Sequence, residues 1–165
     1  MLFRSSKADH ERLVEAALTR AGNVERGKKL FFAVEKSQCL KCHRLNDQGE
    51  KIGPELTGLG SRFSRVHIIE SLLEPSRTIA AGFQAQTVEL ADGRVLTGLK
   101  ISETADSLVI ADNQGKKHTL RKVDIEESKA NPLSIMPGGL EKSLSLDEFV
   151  DLIAFLTSEK QLAGR

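Results

Sequence analysis

Cys39-Leu40-Lys41-Cys42-His43 is the stretch of this 165-residue chain whose residue types and spacing most directly dictate a chemistry. Two thiols three positions apart fall on one side of a single helical turn, close enough to add to two vinyl groups of one porphyrin. The imidazole of the next residue, His43, then lies where it can bind the porphyrin iron. The stretch therefore reads as a covalent attachment site for one haem, with Cys39 and Cys42 as the thioether links. Three other readings compete. A Cys39–Cys42 disulfide would make a thioredoxin-like redox site, although no βαβ pattern accompanies it. A zinc site would need a distant fourth ligand, because the chain has only 2 Cys and its other histidines, His10, His67 and His118, are scattered singly. The third is chance occurrence of the pentapeptide.

A second chemical feature lies far downstream, in Asn131-Pro132-Leu133-Ser134-Ile135-Met136-Pro137-Gly138-Gly139-Leu140. The chain has 2 Met, and the other is Met1. A thioether held in a rigid Pro/Gly loop suits the distal side of a haem iron, where a soft ligand must bind without large rearrangement. The alternative is that Met136 fills an apolar gap.

The elements that must position these groups follow from periodicity. Residues 6–21 read as a helix with Leu13, Ala16, Ala17 and Ala21 on one face, capped by Ser6 or Asp9 and ended at Ala21-Gly22-Asn23. A second helix is expected from Val24 to Val34, with Asn23 as N-cap and Glu25 in its first turn. Gly27, Leu30 and Phe31 share a face of it. A glycine inside a helix costs about 1 kcal/mol relative to alanine, so Gly27 marks a close helix–helix approach. A third helix is expected over residues 62–73, on Ile68, Ile69, Leu72 and Leu73, and Pro75 prevents its continuation. A last helix runs from Leu146 to Lys160, opened by the Ser145/Glu148 capping box and striped by Phe149, Leu152, Ile153 and Leu156.

Between the third and last helices the period changes. Phe83–Leu90, Arg94–Ile101, Ser107–Ala111 and Lys117–Ile125 read as strands, separated by turn signals such as Asp92-Gly93 and Asn113-Gln114-Gly115. Short turns imply an antiparallel meander. The region is too long for a structureless loop in a compact domain.

Composition narrows the function classes. Hydrophobic content is 39%, charged content 28% and net charge +1, so no strong field argues for nucleic acid or a membrane surface. No apolar run is long enough to span a bilayer. Trp and Tyr are both absent, with 7 Phe, and a haem would supply missing core volume. Residues 25–51 hold seven bases against four acids, a mildly basic stretch that could steer an acidic partner. The segment Met1–Lys7 lacks the apolar core of a signal peptide. Bacterial haem attachment takes place outside the cytoplasm, so the expectation is a periplasmic or otherwise exported protein. The chain then reads as a mature form or a domain of a longer one.

Taken together these segments resemble the Pirellula/Verrucomicrobium-type haem-binding domain within the class I cytochromes c. The resemblance rests on Arg26-Gly27-Lys28-Lys29-Leu30-Phe31, Cys39 to His43, Ile52-Gly53-Pro54-Glu55-Leu56-Thr57-Gly58, Glu70-Ser71-Leu72-Leu73-Glu74-Pro75-Ser76, Asp92-Gly93-Arg94-Val95-Leu96-Thr97-Gly98 and Ser134-Ile135-Met136-Pro137. It implies a mainly α cytochrome c fold with an inserted small antiparallel β-sheet, α+β overall. It implies that the Gly27/Phe31 helix crosses the last helix. It further implies that the Pro54 carbonyl accepts the Nδ1–H of His43, that Leu56 and Leu59 wall the haem pocket, and that His43 and Met136 are the axial ligands of one covalent haem c.

The implied organisation is a linker helix over 1–21, a haem domain over 22–160 with its β-rich insertion at about 83–127, and a tail over 161–165. The implied function is electron transfer to a redox partner protein or a fused dehydrogenase module, by a monomer or a dimer. The alternatives are a haem-based ligand sensor and a peroxidase-like module, both of which require an exchangeable distal position.

Overall fold

The computed structural model describes residues 7–160. The helices are α1 (Lys7–Thr19), α2 (Val24–Phe32), α3 (Val34–Ser37), α4 (Leu59–Arg62), α5 (Arg65–Leu73) and α6 (Leu146–Ser158). The strands are β1 (Arg44–Leu45), β2 (Gln48–Gly49), β3 (Gln86–Leu90), β4 (Val95–Glu103), β5 (Ser107–Ala111), β6 (Lys117–Arg121) and β7 (Ile125–Ala130). The chain is thus a mixed α and β protein, its main sheet lying in sequence between α5 and α6. No helix of the described residues is long and apolar enough to cross a membrane.

Helix α6 is the centre of the helical half. Every residue from Phe149 to Leu156 is buried, including Asp151. That exceeds the four-residue stripe read from the sequence, because α1, α2, α4 and α5 all pack against this one helix. The capping box is formed as expected, with Ser145 Oγ accepting from Glu148 N and the Glu148 carboxylate from Ser145 N. Helix α2 crosses α6 at Gly27, where a Cβ would fall 1.9 Å from the Asp151 carbonyl oxygen. Only glycine allows that approach. Rings of Phe31 and Phe155 meet at 5.5 Å beside it. The buried Asp151 carboxylate accepts from Asn23 N and Arg26 Nε, both at 2.6 Å. A buried charge so bonded ties the start of α2 to α6. Asn23 also caps α2, its Oδ1 accepting from Arg26 N at 2.8 Å. In α1, Ala16 and Ala17 are buried, and Arg65 donates to the carbonyls of Ala17 and Arg20 at its C-terminal end. Ala21 lies beyond that end, and the suggested cap Ser6 is outside the described residues.

Helix boundaries differ from the sequence reading at four helices; the first stops at Thr19 and the last at Ser158, each two residues short of its expected end. The second helix stops at Phe32, because Ala33 leaves the helical region (φ −78°, ψ 81°) before α3 begins. The third is divided: Phe63 is extended, and Ser64 starts α5 afresh by accepting from His67 N.

The main sheet is antiparallel with order β6-β5-β4-β3-β7. Strands β3 to β6 form the expected meander, starting at Gln86 rather than Phe83. The fourth predicted strand, Lys117–Ile125, is corrected. It ends at Arg121, a 3-10 turn occupies Lys122–Asp124, and β7 then crosses back to pair with β3. Every β7 residue after Ile125 is exposed, so the strand carries no alternation to reveal it. Bulges at Lys100/Ser102 and Glu89/Leu90 curl the sheet. Val88, Leu90, Leu108, Ile110 and Leu120 are buried together as its own core. A third cluster, of Ile52, Leu99 and Ala111 with Cys42, Phe83, Ile101 and Ile135 against it, joins the two halves.

Candidate functional site

Gln38, with φ +60°, turns the chain out of α3 into a 3-10 turn at Cys39–Lys41. His43 N then donates to Cys39 O at 2.9 Å, so the five motif residues wind through one turn. Both thiols are free, not bridged. Cys39 packs on the helical core, with Sγ 3.5 Å from the Ser37 carbonyl oxygen. Cys42 faces the joining cluster instead. Burial pushes the Cys39 thiol up to about 11, and burial together with Asp112 raises that of Cys42. Both remain S–H at neutral pH.

The imidazole of His43 is fixed by two contacts. Nδ1 lies 2.7 Å from the Pro54 carbonyl oxygen. A carbonyl only accepts, so Nδ1 carries the proton and Nε2 keeps its lone pair. Nε2 makes no hydrogen bond among the described residues. Burial lowers the His43 pKa against the opposing pull of Pro54 and Glu55, which keeps the ring neutral at pH 7. Its face lies against Gly53, where a Cβ would come 2.8 Å from Cε1. The Gly53-Pro54 turn is itself held down, since Ile52 N and Gly53 N both donate to Cys42 O, at 3.0 and 2.7 Å. The β1/β2 hairpin returns the chain to make this possible. At its end Gly49 (φ +94°) lies so close to the His43 carbonyl that a Cβ would be 2.2 Å from the oxygen.

The remaining predicted site residues border the same region. Leu56, Leu59 and Met136 are partly buried against the helical core, as are Cys39 and Leu40. Ile135 sits with Cys42 in the joining cluster. The other histidines are engaged elsewhere. His10 pairs with Glu141 at 3.2 Å, His67 stacks on Phe63 at 4.6 Å, and His118 bonds Asp112 at 2.7 Å. No group of three or more His, Cys, Asp and Glu side chains among the described residues could hold a metal ion, which leaves the zinc reading without a ligand set.

Sequence reading did not single out Gly53, Leu99 or Ala111. Gly53 stood only inside the segment Ile52 to Gly58 that carries the family resemblance. Leu99 and Ala111 gave the signal of ordinary strand alternation, with nothing to say that they would meet Cys42. The β5–β6 turn also reaches the motif. Gly115 (φ +76°) packs on Lys41, where a Cβ would lie 2.4 Å from the carbonyl oxygen, and Lys117 pairs with Glu50 at 3.3 Å.

The residues present fit a covalently held haem. They supply two unbridged thiols on one turn, a neutral imidazole with its outer nitrogen unbonded, and a flat glycine bed behind that ring. Comparison with known proteins agrees. The cytochrome c family model matches residues 24–106. A Synechocystis sp. protein described as cytochrome c-553-like is 32% identical over 79 residues, which cover 48% of this chain and 70% of that protein. The family match contains the motif, Pro54 and Leu56 and ends before Met136. With half of the chain matched and the motif folded as a single turn, the chain belongs to the cytochrome c family.

Proposed function

We propose that this chain is a one-electron carrier holding a single haem c through Cys39 and Cys42, with the iron between His43 and Met136. The observation that carries the reading is the His43–Pro54 hydrogen bond, which presents a bare Nε2 beside two free thiols. The haem supplies the Fe(III)/Fe(II) couple. Cys39 and Cys42 would hold the haem as thioethers, each S–H adding across a vinyl C=C with no oxidant needed. Pro54 orients the imidazole and raises its basicity. Leu56 and Leu59 keep water from the site, and low dielectric with a thioether ligand favours the reduced iron. A carrier needs no distal acid–base group. A peroxidase does, and the engagement of His10, His67 and His118 elsewhere favours the carrier.

The ordered motif set, with the strands lying between α5 and α6, supports the Pirellula/Verrucomicrobium-type subtype and a haem domain over 22–160 with the sheet as an insertion at about 83–127. In that reading the protein is exported, and its partner is a redox protein or a fused dehydrogenase module. The test is the visible spectrum of haem-loaded protein, oxidised and reduced, beside Met136→Ala. A sharp reduced α-band, with a long-wavelength methionine-to-iron band in the oxidised form that the variant loses, is the expected result. A high-spin spectrum, or one the variant leaves unchanged, removes Met136 from the iron and moves the reading toward a sensor or a peroxidase.

A further inference from the structure

The sheet and the loop of Met136 meet in hydrogen bonds that the carrier function leaves without a task. Strand β7 ends at Ala130, and the chain runs on toward Met136. Asn131 N donates to Ala85 O at 2.8 Å, which continues the β3–β7 pairing past its last rung. Its side-chain Nδ2 donates to Thr87 Oγ1 on β3 at 2.9 Å, and its Oδ1 accepts from Leu133 N at 2.9 Å, bending the chain. Ser134 then makes two bonds of its own. Its N–H donates to Ser76 Oγ, in the turn after α5, at 3.0 Å. Its hydroxyl accepts from Met136 N at 3.2 Å. Beyond this point consecutive side chains part. Ile135 enters the cluster of Cys42 and Leu99, while Met136 packs on the helical core that Cys39 also borders.

We infer that Asn131, Ser134 and Ser76 are positioning residues that hold Met136 on the distal side, and that the sheet serves as the anchor of that loop. The inference rests on reading Met136 as the axial ligand. Its physical basis is the freedom of the segment. Ordering the backbone of a loop costs conformational entropy, and a neutral thioether on an untied loop would spend much of its time off the iron. Asn131 fastens the loop to the sheet, and Ser134 fastens it to the helical half. The arm that leads into Met136 is thereby fixed from both sides before any ligand bond forms, and preorganisation of this kind raises the fraction of bound thioether.

The test compares haem-loaded wild type with Ser134→Ala, Ser134→Thr, Ser76→Ala, Asn131→Ala and Met136→Ala. Two quantities are read: the methionine-to-iron band of the oxidised form and carbon monoxide affinity of the reduced form. Removing one tie should raise carbon monoxide affinity roughly five- to tenfold, the effect of one hydrogen bond of ordinary strength, and weaken the band. Ser134→Thr, which keeps a hydroxyl, should restore both. Ser134→Ala removes the acceptor of the Met136 N–H, and Ser76→Ala removes, from outside the loop, the acceptor of the Ser134 N–H, so a folding defect in a loop variant does not decide the matter. Wild-type band and affinity in all three alanine variants of the ties, with the band lost in Met136→Ala, would overturn the positioning role while leaving the ligand in place. An unchanged band in Met136→Ala would overturn the ligand assignment itself.

Discussion

Between Cys39 and Pro54 the fixing bonds end on main-chain carbonyls within 11 residues of their donors, as in His43 to Pro54 and Gly53 to Cys42. The loop of Met136 is tied by side chains across 44 residues to Thr87 and 58 residues to Ser76. The His43 side is therefore built by a short stretch of chain that folds on itself. The Met136 side exists only once the sheet and α5 are in place. A loop fastened by a few partly exposed side-chain bonds lies at the weak end of a protein's stability, whereas the His43 turn is held by a dense set of main-chain bonds. In the proposed reading, a proximal ligand set by local backbone and a distal one set by tertiary contacts would divide the work of a redox site: one would hold, the other tune.

The largest test of that contrast is Gly53→Ala. The new methyl would lie 2.8 Å from His43 Cε1, and overpacking of this kind costs about 1–3 kcal/mol. Urea unfolding should register that loss, and the haem-to-protein ratio after maturation should fall. Wild-type values in both would mean that the His43 bed is not rigid. A smaller effect separates the thiols. In protein made without haem, Cys39 with a pKa pushed up to about 11 is almost entirely protonated at pH 8. Allowing for the greater nucleophilicity of a basic thiolate, its alkylation should run about tenfold slower than that of a small free thiol. The rate should climb with pH until about 11 and then level off, followed by mass spectrometry of the labelled peptide. A plateau near pH 9 would contradict the burial of Cys39. The smallest effect belongs to the other side. Gly138 has nothing within 4 Å of the position a Cβ would take, so Gly138→Ala should change stability by less than about 0.5 kcal/mol. A loss as large as that of Gly53→Ala would erase the contrast between the two sides.

The same contrast explains what could be read from the sequence. The motif turn, the α2–α6 crossing at Gly27 and the Ser145/Glu148 cap are local patterns or single residues with one physical use, and each was legible. The four strands of the meander were legible from alternation. Strand β7 was not, because Glu126 to Ala130 all face solvent and carry no pattern. The break at Phe63-Ser64 was hidden because the apolar residues on either side keep helical spacing, and only the side chain of Ser64 signals a new start. Asn131, Ser134 and Ser76 read as ordinary polar loop residues. Their use depends on partners that no window of sequence contains. Asp151 is similar: it reads as the polar face of α6 until α2 packs over it and Arg26 and Asn23 close on its carboxylate.

In the proposed reading one iron is held between His43 and Met136 and exchanges one electron. The decisive experiment is an equilibrium redox titration of haem-loaded wild type and Met136→His. A single reversible one-electron transition is expected in the wild type. A clearly lower midpoint potential is expected in the variant, because a thioether opposite imidazole holds the potential above that of two imidazoles. A midpoint that Met136→His leaves unmoved would contradict this reading and place the methionine away from the iron.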